Sequence, residues 1–274
     1  MKILRDNKIK VIVINNSPLD TIKNLKDECF YYRYFKKNIG IASAQNIGIK
    51  VALKNSAKII SFFDQDSQIT SLMIRTIIKN LNSMKKSIYV PEYLDTINNN
   101  FSYYRLNKLG LRTKVKKSSS PYNVDVVISS GMFVPYKVFN VVGLMKDSFF
   151  IDYVDTEWCL RCKYFNIPIF VLPKAKMKHK IGISSKKILN KKITFHDEDR
   201  YFYQIRNSLF LFRYNYIPKY FALLEFLKSL SNALLKLFYS SRRFYLIKKI
   251  LLALALGLLN RGHQKKCNER VSNM

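Results

Sequence analysis

Lys58-Ile59-Ile60-Ser61-Phe62-Phe63-Asp64-Gln65-Asp66-Ser67 is the stretch on which the reading of this chain turns. A short apolar run that halts at two carboxylates flanking one residue reads as a buried strand whose carboxyl end opens to solvent. Carboxylates so placed can hold a divalent cation, which in turn neutralises a diphosphate leaving group. A triplet of this kind is also an ordinary solvated acidic turn in many proteins, so its neighbours decide what it means.

Upstream, Lys10 to Asn15 is a run of β-branched residues ending in Asn15-Asn16-Ser17-Pro18, which predicts a second buried strand running into a loop. Asp20 to Cys29 reads as a helix, Tyr31 to Phe35 as a short strand, and Ile41 to Lys54 as a helix with apolar residues at helical spacing. Strands alternating with helices predict an α/β chain of parallel βαβ units, with ligands at the carboxyl ends of the strands.

Downstream, Val124 to Ile128 reads as a strand, followed by Ser129-Ser130-Gly131, whose small residues let backbone approach a ligand closely. Then come Asp152, Asp155 and Glu157, a dense acidic cluster in a strongly cationic chain. Asp155 and Glu157 stand where an apolar run gives way to the helix Trp158 to Tyr164, and a helix start favours their ionised forms. Helix capping alone is the competing account of these acids.

Composition sets the outer limits. The chain has 274 residues, 48% hydrophobic and 14% aromatic, so it can bury a core and is not a disordered polycation. Lys plus Arg number 48 against 18 Asp plus Glu, a net charge of +30, which favours phosphate-rich partners. Abundant Lys, Asn and Ile mark part of this excess as compositional. Zinc-finger spacing, an RNP-type strand and a helix-turn-helix signature are not found, so nucleic acid is not the expected partner.

Cys29, Cys159, Cys162 and Cys267 are unevenly placed and no secretory signal is read, so structural thiols in a reducing cytoplasm are expected rather than a disulfide framework. From about Ile217 the character changes: Tyr220 to Tyr239 and Phe244 to Leu259 are apolar-rich helical patterns interleaved with Lys228, Lys236, Arg242, Arg243, Lys248 and Lys249. The Leu251 to Leu259 run is too short for a bilayer span, which takes about 20 apolar residues. Basic amphipathic helices suit the face of an anionic membrane, and a helical cap on the preceding domain is the alternative. The expected division is therefore 1–216 as a catalytic-type domain and 217–274 as a basic amphipathic tail.

Taken in order, these segments resemble family 2 glycosyltransferases of the GT-A fold, particularly the bacterial rhamnosyltransferase-like branch. The resemblance is carried by Asn38-Ile39-Gly40-Ile41-Ala42 with Asn46 and Gly48, by Phe62 to Ser67, by Ser129-Ser130-Gly131, by Ile151 to Arg161, and by Tyr201-Phe202-Tyr203 with Arg206-Asn207. It implies a Rossmann-like mixed sheet flanked by helices, followed by the C-terminal helical extension.

For the site, the resemblance implies that Asp64 and Asp66 bind Mg²⁺ or Mn²⁺ and the nucleotide diphosphate, with His179 completing the metal site. Asp155 becomes the general base that deprotonates the acceptor hydroxyl as it attacks the anomeric carbon, inverting that centre, with Glu157 and Asp152 as supports. Arg161 anchors the acidic loop. Asn15, Asn38, Gly40, Asn46 and Gln65 fall on the donor side, and Ser130, Gly131, Trp158, Arg206 and Asn207 on the acceptor or diphosphate side. The implied function is sugar transfer, with L-rhamnose one candidate, from a nucleotide-diphosphate donor to a growing cell-surface polysaccharide such as O-antigen or capsule, or to a lipid-linked or saccharide acceptor. The implied place is cytoplasmic, on the inner face of the plasma membrane.

The chain also departs from the pattern. Too few residues precede Val11 for the strand-helix unit that opens the family's nucleotide-binding half, and Ile14 beside Asn15 stands where an Asp usually ends the next strand. The competing reading is thus a truncated, non-catalytic membrane-associated relic or partner of a glycosyltransferase.

Overall fold

The structure, a computed structural model, describes residues 2–20, 22–81, 86–95, 102–179, 185–188, 191–194 and 197–259. In chain order the elements begin with α1 (Lys2–Asp6), β1 (Ile12–Asn15), β2 (Tyr31–Tyr34), α2 (Ile41–Lys54), β3 (Ile59–Ser61) and α3 (Ser71–Leu81). Next are β4 (Ile88–Asp95), β5 (Tyr104–Leu106), β6 (Arg112–Lys114), β7 (Tyr122–Val124), β8 (Phe133–Pro135), α4 (Tyr136–Val142), α5 (Val154–Tyr164) and β9 (Ile169–His179). Last come β10 (Ser185–Ile188), β11 (Lys191–Thr194), α6 (Glu198–Leu211), α7 (Lys219–Tyr239) and α8 (Arg243–Leu259). They fall into two units, Met1–Arg105 with Arg112–Phe150 and Val154–Ile181, and Leu106–Leu111 with Ile151–Tyr153 and Gly182–Met274.

The first unit is built on a five-stranded mixed sheet in the order β3-β8-β4-β9-β7. β4 and β9 run parallel, while β8 is antiparallel to both β3 and β4, and β7 is antiparallel to β9. The helix α3 packs on β4 and β9 because Met73, Ile77 and Leu81 recur every fourth residue and, with Ile74, are buried. Ile88, Val90 and Val171 are fully enclosed beneath it, as central strands covered by helices require.

β1 and β2 form a separate parallel pair in register Ile12 with Tyr31 through Asn15 with Tyr34. Val11 and Asn15 turn their carbonyls towards β2, where they accept the N–H groups of Phe30 (2.8 Å) and Phe35 (3.0 Å). By strand alternation the backbone groups of Ile12 and Ile14 face the opposite edge, with which no strand pairs among the described residues. Ile12, Val13 and Ile14 are only half-buried, although their apolar run reads as an interior strand.

Two elements depart from their sequence reading. Asp20 to Cys29 yields only a short 3₁₀ turn at Lys23–Glu28, since Lys-Asn-Leu-Lys-Asp-Glu has a single apolar residue and no face to bury. The strand read at Val124 to Ile128 is instead Tyr122–Val124, and the run beyond it is apolar because Val127 lies in the core, its carbonyl accepting the Cys159 thiol at 3.7 Å.

In the second unit α6 packs against α7 and α8. Tyr201 and Ile205 of α6 meet Ala233 of α7 and Leu246, Ile250 and Ala253 of α8 in one buried cluster. The helix contact is close: a Cβ on Gly257 would lie 2.4 Å from Leu209 Cδ1, and Arg213 donates to the Gly257 carbonyl at 2.6 Å. The division expected at residue 217 falls inside this unit, between α6 and α7.

At Pro91 and Glu92 the β4–β9 register slips, and Glu92 turns inward with the Lys176 and Lys117 ammonium groups on its carboxylate. Burial alone would raise its pKa, but the two lysines outweigh that and hold it below the ordinary 4.5. A carboxyl depressed in the folded state adds stability that is present above its unfolded pKa and is lost as pH falls through the folded value. Glu92→Gln is therefore expected to lower the melting temperature at pH 7 and to flatten its decline below pH about 4.5. Thermal unfolding from pH 7 to 3 checks this, and parallel curves for parent and variant would refute it.

Candidate active site

The acidic turn after β3 is fastened at both ends. Gly131 N–H donates to Phe62 O at 2.7 Å, so the 129–131 turn is pinned beside the last residues of the strand. Asp64 N–H donates to Ser130 Oγ at 3.3 Å, Ser67 N–H closes on Asp64 O at 3.1 Å, and the Ser67 and Ser130 hydroxyls lie 2.6 Å apart. Gln68 N–H then donates to Lys178 O at 3.0 Å, joining the turn to the end of β9. Asp64, Gln65 and Asp66 stand exposed on this fastened turn. His179 follows Lys178 in β9, and its side chain lies outside the described residues.

Asp155 and Glu157 occupy the first turn of α5. Glu157 is wholly buried and takes both Arg161 Nε (2.9 Å) and Nη2 (2.8 Å), while Arg161 also donates to the Val142 and Leu144 carbonyls. A bidentate guanidinium pair of this kind fixes geometry as well as charge. Asp155 is half-buried with Oδ1 shielded from solvent. Burial pushes the Tyr93 phenol up, and the neighbouring Tyr103 adds to it. Tyr93 itself donates to Ser130 O at 2.9 Å.

Several expected donor-side residues turn out to brace loops. Asn15 is buried and donates to Asp20 Oδ1 (2.8 Å) and Tyr32 Oη (3.0 Å). Asn38 Oδ1 accepts Gly40 N–H at 2.8 Å and Asn16 Nδ2 at 2.9 Å. Gly40 has φ +83°, and a Cβ there would fall 2.5 Å from the Phe150 ring, so the backbone needs glycine. Asn46 is buried between Met145 and Asp147, which its amide bonds at 2.9 and 2.8 Å. Asp20 escaped the sequence reading: with Tyr32 it lines an open cleft of about 570 Å³ and brings a carboxylate to Asn15 where the strand end lacks one.

Trp158, expected on the acceptor side, is fully enclosed; its ring packs on Phe139 at 5.6 Å and its Nε1 donates to Gly143 O at 2.9 Å. Ser130 is likewise fully buried, so these two side chains have no surface to offer a ligand. Both side chains are packed into the framework. Tyr93 joins them as a support that no pattern announced, because a hydroxyl in an apolar stretch looks the same whichever way it points.

In the second unit, Asp152 and Tyr153 both have left-handed backbones, with φ +60° and +61°. Arg200 grips Asp152 through Nε (3.0 Å) and Nη2 (2.9 Å), and Asn207, fully buried, donates to the carbonyls of Ile151 (2.6 Å) and Asp152 (3.1 Å). Tyr153 Oη bonds Glu225 and Ser229 of α7. Arg206 donates to Asn207 Oδ1 and lies against the Phe202, Tyr203 and Phe210 rings. Contacts of this number are what hold non-glycine residues in sparsely allowed conformations.

A central mixed sheet flanked by helices is the architecture of GT-A glycosyltransferases. Solved structures carry the same fold: S. aureus TarS 1-349 in complex with UDP-GlcNAc superposes with a TM-score of 0.55 at 11% identity, over 92% of this chain and 72% of that one. GalNAc-T7 with UDP, GalNAc and Mn²⁺ gives 0.53 at 12% identity over 66% of this chain, which spans only 38% of that protein. The chain belongs to glycosyl transferase family 2, whose model matches residues 3–143. It is 36% identical over 262 residues to dTDP-rhamnosyl transferase RfbF of Shigella flexneri, covering 93% of this chain and 88% of the relative. It is therefore a transferase that moves sugar from a nucleotide-sugar donor, in the rhamnosyltransferase-like branch.

Trp158 separates support from contact. Trp158→Ala is expected to cost about 3–5 kcal/mol of stability, whereas Trp158→Phe keeps a ring on Phe139 and leaves the acceptor KM at the parent value. Urea unfolding with steady-state kinetics checks both, and a raised acceptor KM in the Phe variant would return Trp158 to the binding surface.

Proposed function

We propose that this chain is an inverting transferase that moves a sugar, L-rhamnose being the first candidate, from a nucleotide-diphosphate donor to a growing cell-surface polysaccharide or lipid-linked oligosaccharide. The observation that supports the mechanism is the display of Asp64 and Asp66 on a fastened, exposed turn at the end of β3, with Asp155 in the first turn of α5. One acid serves the leaving group and the other the nucleophile, as a displacement at the anomeric carbon demands. The similarity to the Shigella dTDP-rhamnosyl transferase supports dTDP-rhamnose as the first donor to try.

Asp64 and Asp66 would hold Mg²⁺ or Mn²⁺ together with the diphosphate, with His179 as a further ligand. Among the described residues no three His, Cys, Asp or Glu side chains gather tightly enough to hold an ion alone. Two exposed carboxylates on one turn nevertheless fit a small hard cation that keeps waters and shares its ligands with substrate phosphates. When bound, that cation supplies charge neutralisation at the departing diphosphate. Asn15, Asn38, Gly40, Asn46 and Gln65 fall on the donor side, Asn15 bonded to Asp20 of the open cleft. Asp155 takes the proton of the acceptor hydroxyl, Glu157 through Arg161 keeps its helix turn in place, and Asp152, Arg206 and Asn207 order the preceding loop.

Asp155→Asn keeps the size and hydrogen bonding of the side chain but cannot take a proton. Transfer is expected to fall by about 10² to 10⁴, the range typical of general-base loss, with dTDP binding unchanged. Transfer assayed from dTDP-rhamnose to a lipid-linked saccharide, with calorimetric titration of dTDP, makes the test; a rate at the parent level would remove Asp155 as the base.

Attachment to an anionic membrane is the second part of the proposal, and it brings the site to a lipid-linked acceptor from the cytoplasmic side. No helix among the described residues is long and apolar enough to cross a bilayer. Tyr220, Leu223, Leu224, Leu227, Leu234 and Phe238 instead form an exposed stripe along α7, and Phe244, Ile247, Leu251 and Leu258 form another along α8, with Phe244 91% exposed. Exposed Lys228, Arg242, Arg243 and Lys248 accompany them. Apolar stripes flanked by lysine and arginine suit a headgroup interface, where each basic side chain adds about 1 kcal/mol.

Since α7 and α8 cover α6, deleting them would expose a core, and charge substitutions on the stripe are the cleaner probe. Phe244→Glu with Leu251→Glu is expected to abolish co-sedimentation with phosphatidylglycerol vesicles, and added salt to weaken that of the parent. Undiminished sedimentation of the double variant would defeat this part of the reading.

A further inference from the structure

Ser130 is fully buried, yet its hydroxyl is aimed at the acidic turn rather than at the core around it. It accepts the Asp64 N–H at 3.3 Å and lies 2.6 Å from the Ser67 hydroxyl, so it touches both ends of the segment that displays Asp64, Gln65 and Asp66. Ser130 cannot shift to follow a moving turn. Tyr93 holds its carbonyl at 2.9 Å, and Gly131, at φ +83°, leaves space only for hydrogen where a Cβ would meet Met177 and Pro91 at 3.0 Å. On the far side the Gln68–Lys178 backbone bond at 3.0 Å completes the fastening.

From this geometry we infer that Ser130 is a positioning residue, whose buried hydroxyl, acting with Ser67, holds the Asp64–Asp66 turn in its cation-binding shape before a ligand arrives. The inference rests on the assignment of Asp64 and Asp66 to the cation and diphosphate. Two carboxylates on a loose loop must be ordered when the cation binds, and that ordering subtracts from affinity. On a turn fastened in advance the cost is already met by folding. Groups that orient metal ligands without touching the metal typically change metal affinity by about 10- to 100-fold when removed. The buried polar contact thus serves affinity at an exposed site, which sets it apart from a purely structural hydrogen bond.

The test uses the full chain with Mn²⁺ and dTDP as probes. In the metal-free protein, Ser130→Ala is expected to accelerate amide hydrogen exchange at Asp64. Ser130→Ala and Ser67→Ala are both expected to weaken Mn²⁺ binding in the presence of dTDP, read by electron paramagnetic resonance, by about 10- to 100-fold. Ser67→Thr, which keeps the hydroxyl at a half-buried position, should stay near the parent value. Ser67→Ala also guards against a folding defect at the wholly buried Ser130. Mn²⁺ binding that Asp66→Ala abolishes but both alanine variants leave within twofold of the parent overturns the positioning role alone. Mn²⁺ binding that Asp66→Ala leaves intact overturns the metal assignment, and the positioning role with it.

Discussion

Gly131 sits where three strand ends meet, in a left-handed conformation with no room for a side chain, and the arrangement of the first unit's site follows from that close approach. Its N–H reaches Phe62 O at the end of β3, its neighbour Ser130 is held by Tyr93 of β4, and Met177 of β9 packs against its Cα. A bulkier residue would separate these strand ends, and the acidic turn would lose its support. The exposed carboxylates owe their placement to a backbone contact beneath them.

Charge is handled by a similar division between buried and exposed groups. With 48 Lys and Arg against 18 Asp and Glu, basic side chains outnumber the acids. Glu157 is satisfied internally by Arg161, Glu92 by Lys176 and Lys117, and Asp152 by Arg200. Buried acids need such partners, because a lone charge in the interior is costly. Asp64 and Asp66 instead lie exposed on the turn at the end of β3.

The second unit buries one side of each long helix and exposes the other. α6 lies in the fold of α7 and α8, and Ser240, Lys236, Lys249 and Tyr245 tie its acidic start through Glu198 and Asp199. This leaves the apolar stripes of α7 and α8 with no protein covering among the described residues. A soluble monomer seldom leaves so much apolar surface open unless something else is meant to cover it.

By itself the sequence determined the class of fold, the three strands that lead up to the acidic turn, the helix that follows the Asp155 and Glu157 cluster, and the two long C-terminal helices. Those features are local: alternating apolar runs, helical spacing and carboxylates at an element boundary each act within a few residues. Only the tertiary structure decided which polar residues face a ligand and which hold the framework, because that depends on groups far apart in the chain. Trp158 and Ser130 have the composition of binding residues and are buried, while Tyr93 and Asp20 carry no pattern and make contacts that hold the framework. The half-exposed β1 shows the same limit. Its residues specify an interior strand, but whether a strand has neighbours on both edges is settled by pairing across the fold, which no local run of residues encodes.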